Sequence, residues 1–198
     1  MNYLAHAYLS FNDPEILLGN MISDFIKGKD QFSYPPRVQQ GIRLHRAIDQ
    51  FTDTHPATQQ LKSWYRPQYR LYSGAFADVT YDYFLANDPS VFASAQQLKD
   101  FSRQTYNSLS GQSAWFPAMF GRMFPYMQAQ DWLYGYRFPE GIIKSFGGLV
   151  RRSRYLEESD IAAGIFLRHK EEMQACYDGF FPSLKKFAAD HFGGLLND

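Results

Sequence analysis

A histidine and an aspartate lie one helical turn apart in the segment Arg37–Pro56, which reads as one helix with proline at both ends. At about 100° per residue, His45 and Asp49 fall on the apolar side of this helix. That side also carries Val38, Ile42, Ile48, Thr52 and Asp53, whereas Gln39, Arg43, Arg46 and Gln50 occupy the opposite side. A buried carboxylate needs a cationic or hydrogen-bonding partner. The pair therefore predicts either a divalent metal ion held by both side chains or a core histidine hydrogen-bonded to its neighbour.

Further histidines and carboxylates suited to metal binding or proton transfer lie within the first 82 residues. Asp24 shares a predicted helix face with Leu17 and Met21, and Asp78 and Asp82 are one turn apart on a later helix. The remaining candidates of this kind are His6, Asp53 and His55. A mixed set of imidazoles and carboxylates favours manganese, iron or magnesium. Inward-facing ligands on separate helices are what a metal site in a helical bundle requires.

The elements that must position these residues are helices. Helical periodicity recurs along the chain and no segment shows sustained strand alternation, which predicts an all-α, single-domain helical bundle over residues 1–198. Helices are expected at about 2–10, 13–28, 37–56, 57–69, 78–85, 90–109, 114–133, 139–156, 159–178 and 182–192.

Composition excludes several classes of protein. Twenty basic residues balance twenty acidic ones, which argues against a general nucleic-acid binder. A single cysteine, Cys176, allows neither an intrachain disulfide nor a cysteine-rich zinc site. No signal-peptide pattern or membrane-length apolar run is present. We therefore expect a soluble cytoplasmic protein that acts on neither nucleic acid nor membrane.

Aromatic residues make up 18% of the chain and are dense between Trp115 and Phe138. Such a run is typical of a core filled with large rings, and the alternative is an aromatic-lined groove for a long, thin ligand. The sequence leaves both interpretations open.

Four motifs in order, Asn2–His6, Gly19–Gly28, Gly41–Asp53 and Asp78–Leu85, resemble the acyl carrier protein phosphodiesterase family. The resemblance implies an all-helical fold distantly similar to the HD phosphohydrolases. It also implies manganese-dependent hydrolysis, with magnesium or iron as alternatives, of the phosphodiester that joins 4′-phosphopantetheine to a serine of holo acyl carrier protein. The products would be apo carrier protein and 4′-phosphopantetheine, a reaction of fatty acid biosynthesis. In HD enzymes the histidine and aspartate are adjacent, whereas Arg46 follows His45 here.

Site roles follow from this resemblance and from the chemistry of phosphodiester cleavage. The expected metal ligands are Asp24, His45, Asp49, Asp78 and Asp82, and the bound ion would activate a water and neutralise a phosphate oxygen. The expected catalytic residues are His6, Asp24 and His55, with His6 or His55 protonating the leaving serine. Tyr83 stands where many family members are expected to carry a histidine.

Carrier proteins of this kind present an acidic helix, so the resemblance implies a basic docking surface. The residues expected to form it are Lys27, Arg37, Arg43, Arg46, Arg66 and Arg70, with Arg151–Arg154 as a second cluster. Two other functions remain open on the sequence: a metal-dependent phosphohydrolase of a small substrate such as a nucleotide, and a non-enzymatic helical binding module. The oligomeric state is not predicted.

Overall fold

The structure is a computed structural model that describes residues 1–195, so the predicted domain of residues 1–198 extends three residues beyond the described range. Within that range the chain forms helices and no strand, which confirms the all-α prediction. The α-helices, numbered α1 to α11 in chain order, span Tyr3–Tyr8, Pro14–Ile22, Pro36–Thr54, Pro56–Tyr69, Ser73–Ala86, Ala95–Ser110, Ala118–Ala129, Trp132–Gly135, Pro139–Arg152, Asp160–Arg168 and Lys170–Leu195. None of the described helices is long and apolar enough to cross a membrane.

Proline and capping residues set the helix starts that the sequence predicted best. Pro14, Pro36, Pro56 and Pro139 each open a helix, where the missing N–H of proline costs nothing. The Asp13 side chain accepts from the backbone N–H groups of the next turn and so caps α2. These local rules explain why the starts of α2, α3, α4 and α9 lie within one residue of expectation.

Several boundaries differ from the sequence prediction. Helix α5 begins at Ser73 instead of about 78, α6 begins at Ala95 instead of about 90, and the expected helix 159–178 is divided into α10 and α11 at His169. The α-helix that was expected to run to Gly28 ends at Ile22 and continues as a 3₁₀ turn, Ser23–Phe25. The expected helix 114–133 is broken into α7 and α8 by Asp131, whose φ of 45° is left-handed. The predicted break before residue 182 is absent, because α11 continues through Pro182.

Helices α2 and α3 cross with their backbones in direct contact. A Cβ added to Gly41 would lie 2.4 Å from the carbonyl oxygen of Ile16, and one added to Gly19 would lie 2.1 Å from that of Val38. Only glycine fits at both positions, because a side chain on either would collide with main-chain atoms that cannot rotate away. This crossing brings the middle of α3 next to the end of α2.

Helix α1 is anchored from outside its own sequence. The carboxylate of Asp82, on α5, accepts from the N–H of Leu4 at 2.7 Å and from that of Ala5 at 3.2 Å. It therefore satisfies the free donors of the first turn of α1 from another helix, as an N-cap residue would. Asp82 is fully buried. Its position fixes α1 against α5.

The aromatic residues are divided between the core and the surface. Phe76, Phe120, Phe146 and Phe180 are fully buried in one continuous core shared by the helices. Trp132, in contrast, is only partly buried and, with Tyr136 and Phe138, lines a surface cleft. The core interpretation of the aromatic segment therefore holds for its buried rings, and the ligand-groove interpretation stays a prediction for the rings that line the cleft.

Candidate functional site

Two imidazole rings from different helices stack at the centre of the site. The rings of His6 (α1) and His45 (α3) have centroids 3.9 Å apart and planes within 15° of parallel. Both Nε2 atoms face Asp49, with His6 3.2 Å from Oδ1 and His45 3.0 Å from Oδ2. His45 and Asp49 converge because they are one turn apart on α3, as the sequence predicted. The ligand atoms of the three side chains lie within 4.8 Å of one another, a grouping that could hold a metal ion.

Asn20, at the end of α2, orients both rings. Its backbone carbonyl accepts from Nδ1 of His45 at 2.7 Å, and its side-chain Oδ1 lies 2.8 Å from Nδ1 of His6. The Asn20 amide nitrogen donates to the carbonyl of His6 and to Ser10, so Oδ1 is the acceptor towards His6. Each Nδ1 therefore carries a proton and each Nε2 points at Asp49. Metal-binding histidines are commonly fixed in this way.

The two histidines have opposite pKa shifts. Burial lowers the pKa of His6 to about 4, and the charge of His45 adds to this effect against the opposing pull of Asp49. Burial also lowers the pKa of His45, but the carboxylates of Asp24 and Asp49 outweigh it and raise the pKa to about 9. At neutral pH His6 is therefore neutral, and its unprotonated Nε2 faces Asp49 Oδ1 and, at 3.1 Å, the Met1 carbonyl oxygen. A lone pair that converges with two oxygens in this way could share a cation with them.

The carboxylates already attract one cation. The α-ammonium group of Met1 lies 3.2 Å from Oδ1 of Asp49 and 3.0 Å from Oδ1 of Asp78. Burial would lower the pKa of this ammonium group, but Asp78 and Asp49 raise it to about 11. Burial tends to raise the pKa of Asp49, and the ammonium group and the histidines reverse this and hold it low. Burial raises the pKa of Asp78. The arrangement stabilises positive charge between Asp49 and Asp78.

Asp24 lies at the exposed edge of the site. Its side chain is 69% exposed, which corrects the inward orientation expected from helical periodicity, yet Oδ1 is 3.1 Å from Nε2 of His45. The α-helix ends at Ile22 and the 3₁₀ turn carries Asp24 round to the mouth of the site. The hydrogen bond from His45 lowers the pKa of Asp24. This carboxylate is accessible to solvent.

Three other predicted residues are not brought into the cluster. Both oxygens of Asp82 are used on α1, so the structure gives it a capping position instead of the expected ligand position. Asp53, expected to face inward, is exposed and pairs with Lys62. His55, expected as a proton donor, caps α4 by accepting from the Ala57 N–H and packs beside Phe180. It lies ten residues along α3 from His45, a rise of about 15 Å.

The basic residues predicted to dock the partner differ in their exposure and ion pairing. Lys27, Arg43, Arg46 and Arg70 are exposed. Arg37 instead forms a partly buried ion pair with Asp13 at 2.8 Å, which gives it a structural partner.

A depression beside the site carries further positive charge. This depression, of about 400 Å³, is lined by Lys62, Arg66 and Arg70 and by two carboxylates, Asp53, which pairs with Lys62, and Asp78. Arg66 and Arg70 therefore lie in the same depression as Asp78, which contacts the Met1 ammonium group.

A larger cleft of about 610 Å³ includes Asn2 and Tyr3, from the start of the chain, in its lining. Its other walls are formed by the aromatic side chains of Trp132, Tyr136 and Phe138 and by one face of α9. The Asn2 side chain donates to the Tyr136 hydroxyl at 2.9 Å. Sequence reasoning missed the roles of Asn20, Asn2 and Tyr3, although an asparagine in an otherwise apolar helix was a visible signal for Asn20, which the structure shows to be fully buried.

Comparison with known proteins agrees with the motifs. The family model described as acyl carrier protein phosphodiesterase matches residues 1–184. A Yersinia pestis protein named acyl carrier protein phosphodiesterase is 29% identical over 95% of this chain and 97% of its own. Proteins of the same name from Enterobacter sp. (strain 638) and Escherichia coli O45:K1 are 28% and 27% identical, the former over 93% of this chain and 95% of its own. No solved structure matches the chain. The chain belongs to the acyl carrier protein phosphodiesterase family.

Proposed function

We propose that this protein hydrolyses the phosphodiester joining 4′-phosphopantetheine to a serine of holo acyl carrier protein, with a bound divalent metal ion. The products are apo carrier protein and 4′-phosphopantetheine. The observation that carries the proposal is the cluster of His6, His45 and Asp49 in a chain of this family. His45 and Asp49 on α3 have the one-turn spacing of the motif Gly41–Asp53. We further propose a distant relationship to the HD phosphohydrolases.

The residues present fit a divalent cation. Two Nε2 atoms and a carboxylate converge, Asn20 holds both Nδ1 protons, and an ammonium group already lies between Asp49 and Asp78. We propose His6, His45 and Asp49 as the ligands, with Asp24 and Asp78 completing the set. Nitrogen and oxygen donors without thiolate favour manganese, with magnesium or iron as alternatives. When bound, the ion supplies Lewis acidity, which polarises the phosphoryl group and assists attack by water.

The chain's own side chains orient the reactants. Asp24 is ionised and exposed at the mouth of the site, so its carboxylate can accept a hydrogen bond from the attacking water. We propose His6 as a ligand and not as a proton donor, because its Nδ1 is engaged with Asn20 and burial lowers the pKa of the ring to about 4. We expect the leaving serine oxygen to take its proton from solvent at this open edge.

The proposed substrate is an acidic protein, and exposed cations lie on the same elements as the site or in the depression that Asp78 lines. We propose that Lys27, Arg43 and Arg46, together with Arg66 and Arg70, steer and dock the carrier protein. Reversal of Arg43 and Arg46 to Glu should raise KM for holo carrier protein severalfold, whereas metal affinity stays unchanged. Salt should reproduce the effect in the wild type. Kinetics that are insensitive to salt and to these substitutions would place the docking surface elsewhere.

The decisive experiment incubates holo acyl carrier protein with the purified protein and Mn²⁺ and measures the carrier's mass. We expect loss of the 4′-phosphopantetheine mass, which a chelator abolishes. Asp49→Asn should remove both activity and stoichiometric metal. Asp53→Asn is the matched control, because Asp53 lies one turn further along α3 but is exposed and paired with Lys62. An unchanged carrier mass together with hydrolysis of a nucleotide would replace this proposal with the small-substrate alternative.

A further inference from the structure

The cleft beside the first residues of the chain has one aromatic and one cationic wall. Trp132, Tyr136 and Phe138 form the first, and Lys144, Arg151 and Arg152 on α9 contribute to the second. Its volume of about 610 Å³ lies in the range of about 300–1,000 Å³ typical of small-molecule sites. A thin, flexible ligand with an anionic group at one end matches both walls.

Within the part of the chain that the structure describes, the cations of the cleft have no carboxylate partner. Among residues 1–195, Lys144, Arg151 and Arg152 form no ion pair with a carboxylate, and Glu140 is the acidic residue that lines the cleft with them. The guanidinium group of Arg152 folds back over Gly148, where Nη1 lies 3.3 Å from the position of a Cβ. Converging unpaired cations favour an anionic ligand, and guanidinium groups suit phosphate oxygens in particular.

Tyr3 connects this cleft to the histidine cluster. It lines the cleft and belongs to the same short helix, α1, as His6. Burial raises the pKa of the Tyr3 phenol to about 12, and of the charges that act on it, that of Arg152 lowers the pKa and that of Asp24 raises it. Tyr3 therefore joins the wall of the cleft to the helix that carries His6.

We propose that this cleft binds the 4′-phosphopantetheine group of the substrate, with its phosphate at the Arg151–Arg152 end beside Tyr3 and its amide arm along Trp132, Tyr136 and Phe138. The inference rests on the proposed function and assigns where the prosthetic group lies. The amides of Asn2 and Gln130 at the wall suit the polar amides of the arm. Arg152 is then a binding residue for the phosphate, and Trp132 for the arm.

The test measures binding of free 4′-phosphopantetheine, pantetheine and inorganic phosphate by calorimetry with chelator-treated protein, so that no result depends on metal or turnover. Arg152→Glu should weaken 4′-phosphopantetheine binding about 10- to 100-fold, the worth of a charged hydrogen bond. Trp132→Ala should weaken 4′-phosphopantetheine and pantetheine alike, about 3- to 10-fold. Arg168→Glu and Trp115→Ala are matched controls, because both residues are exposed and neither lines the cleft. Lys144→Glu provides a second charge reversal in the cleft. Circular dichroism measures whether each variant is folded.

Several results would overturn the assignment. The first is that the protein does not bind 4′-phosphopantetheine at millimolar concentration. The second is that the wild type and the cleft variants bind it equally well. The third is that inorganic phosphate competes with it while Trp132→Ala has no effect. If Arg152→Glu weakened apo and holo carrier protein equally, the cleft would be a protein-docking surface. Failure of the proposed function is separate, because it shows as an unchanged mass of holo carrier protein with wild-type enzyme and Mn²⁺.

Discussion

Gly41→Ala tests whether the close crossing of α2 and α3 holds the histidine cluster together. The added Cβ would lie 2.4 Å from the Ile16 carbonyl oxygen and 2.9 Å from its Cα, whereas ordinary contacts begin at 3.4 Å. Both obstacles are backbone atoms, so the two helices must separate by about 1 Å. The hydrogen bond from His45 to the Asn20 carbonyl, now 2.7 Å, spans the same interface. It would lengthen to about 3.7 Å, beyond hydrogen-bonding distance.

The expected loss of stability can be worked from these contacts. Overpacking costs about 1–3 kcal/mol, and a lost buried hydrogen bond costs about 1–3 kcal/mol. The better helix propensity of alanine offsets about 1 kcal/mol. The net destabilisation is thus about 3 kcal/mol, which corresponds to a decrease in melting temperature of about 6–12 °C for a chain of this size. Metal affinity should fall as well, because the ring of His45 loses its orienting partner.

Thermal unfolding followed by circular dichroism, together with metal titration, measures both effects. Gly164→Ala is the control, because Gly164 is also helical but has nothing within 4 Å of an added Cβ. It should be neutral or stabilising by about 0.5–1 kcal/mol. If Gly41→Ala proved as stable as Gly164→Ala and bound metal equally well, the crossing would not be what positions His45.

Three further outcomes are expected. Asn20→Ala should lower Mn²⁺ affinity about 10-fold or more in calorimetry, because one imidazole loses its orienting acceptor; unchanged affinity would remove Asn20 from this role. Asp82→Asn should lower the melting temperature by several degrees yet retain stoichiometric metal, whereas a metal-free but stable variant would restore Asp82 to the ligand set. Asp88 accepts from the Tyr177 hydroxyl and from Ser90, and although burial opposes it, hydrogen bonding lowers the Asp88 pKa. The stabilisation that ionised Asp88 gives to the folded state is therefore complete above its unfolded pKa of about 3.9 and is lost as the pH falls through its lower folded pKa. Asp88→Asn should make the free energy of unfolding, measured by urea titration, fall less steeply at acid pH.

Much of the fold follows from local sequence rules, and the same rules fail near helix ends. His45 and Asp49 lie in mid-helix, where a period of 3.6 residues fixes the face, and both were placed correctly. Asp24 and Asp53 lie near helix ends. The turn to 3₁₀ geometry rotates Asp24 outward, and Lys62 from α4 pairs with Asp53 on the exposed side. The helical periodicity of the sequence alone predicts neither effect.

The remaining parts of the site depend on contacts between distant segments. The double role of Asn20 requires α1 and α3 to meet at the end of α2, and that meeting requires glycine at positions 19 and 41. The capping of α1 by Asp82 joins residues 78 positions apart. A helical wheel identifies an inward carboxylate but does not say whether a backbone amide, an ammonium group or a metal ion meets it.

The dependence of α1 on Asp82 has a consequence for the dynamics of the site. A helix of six residues is too short to persist alone in water, so α1 forms only when docked on α5. His6 therefore joins the cluster only when α1 is docked, and we expect local opening of α1 to disperse the ligands while the rest of the molecule stays folded. Amide exchange in α1 should then be faster than in α3 and should slow when metal binds, because an ion held by His6 and His45 would join this short helix to α3.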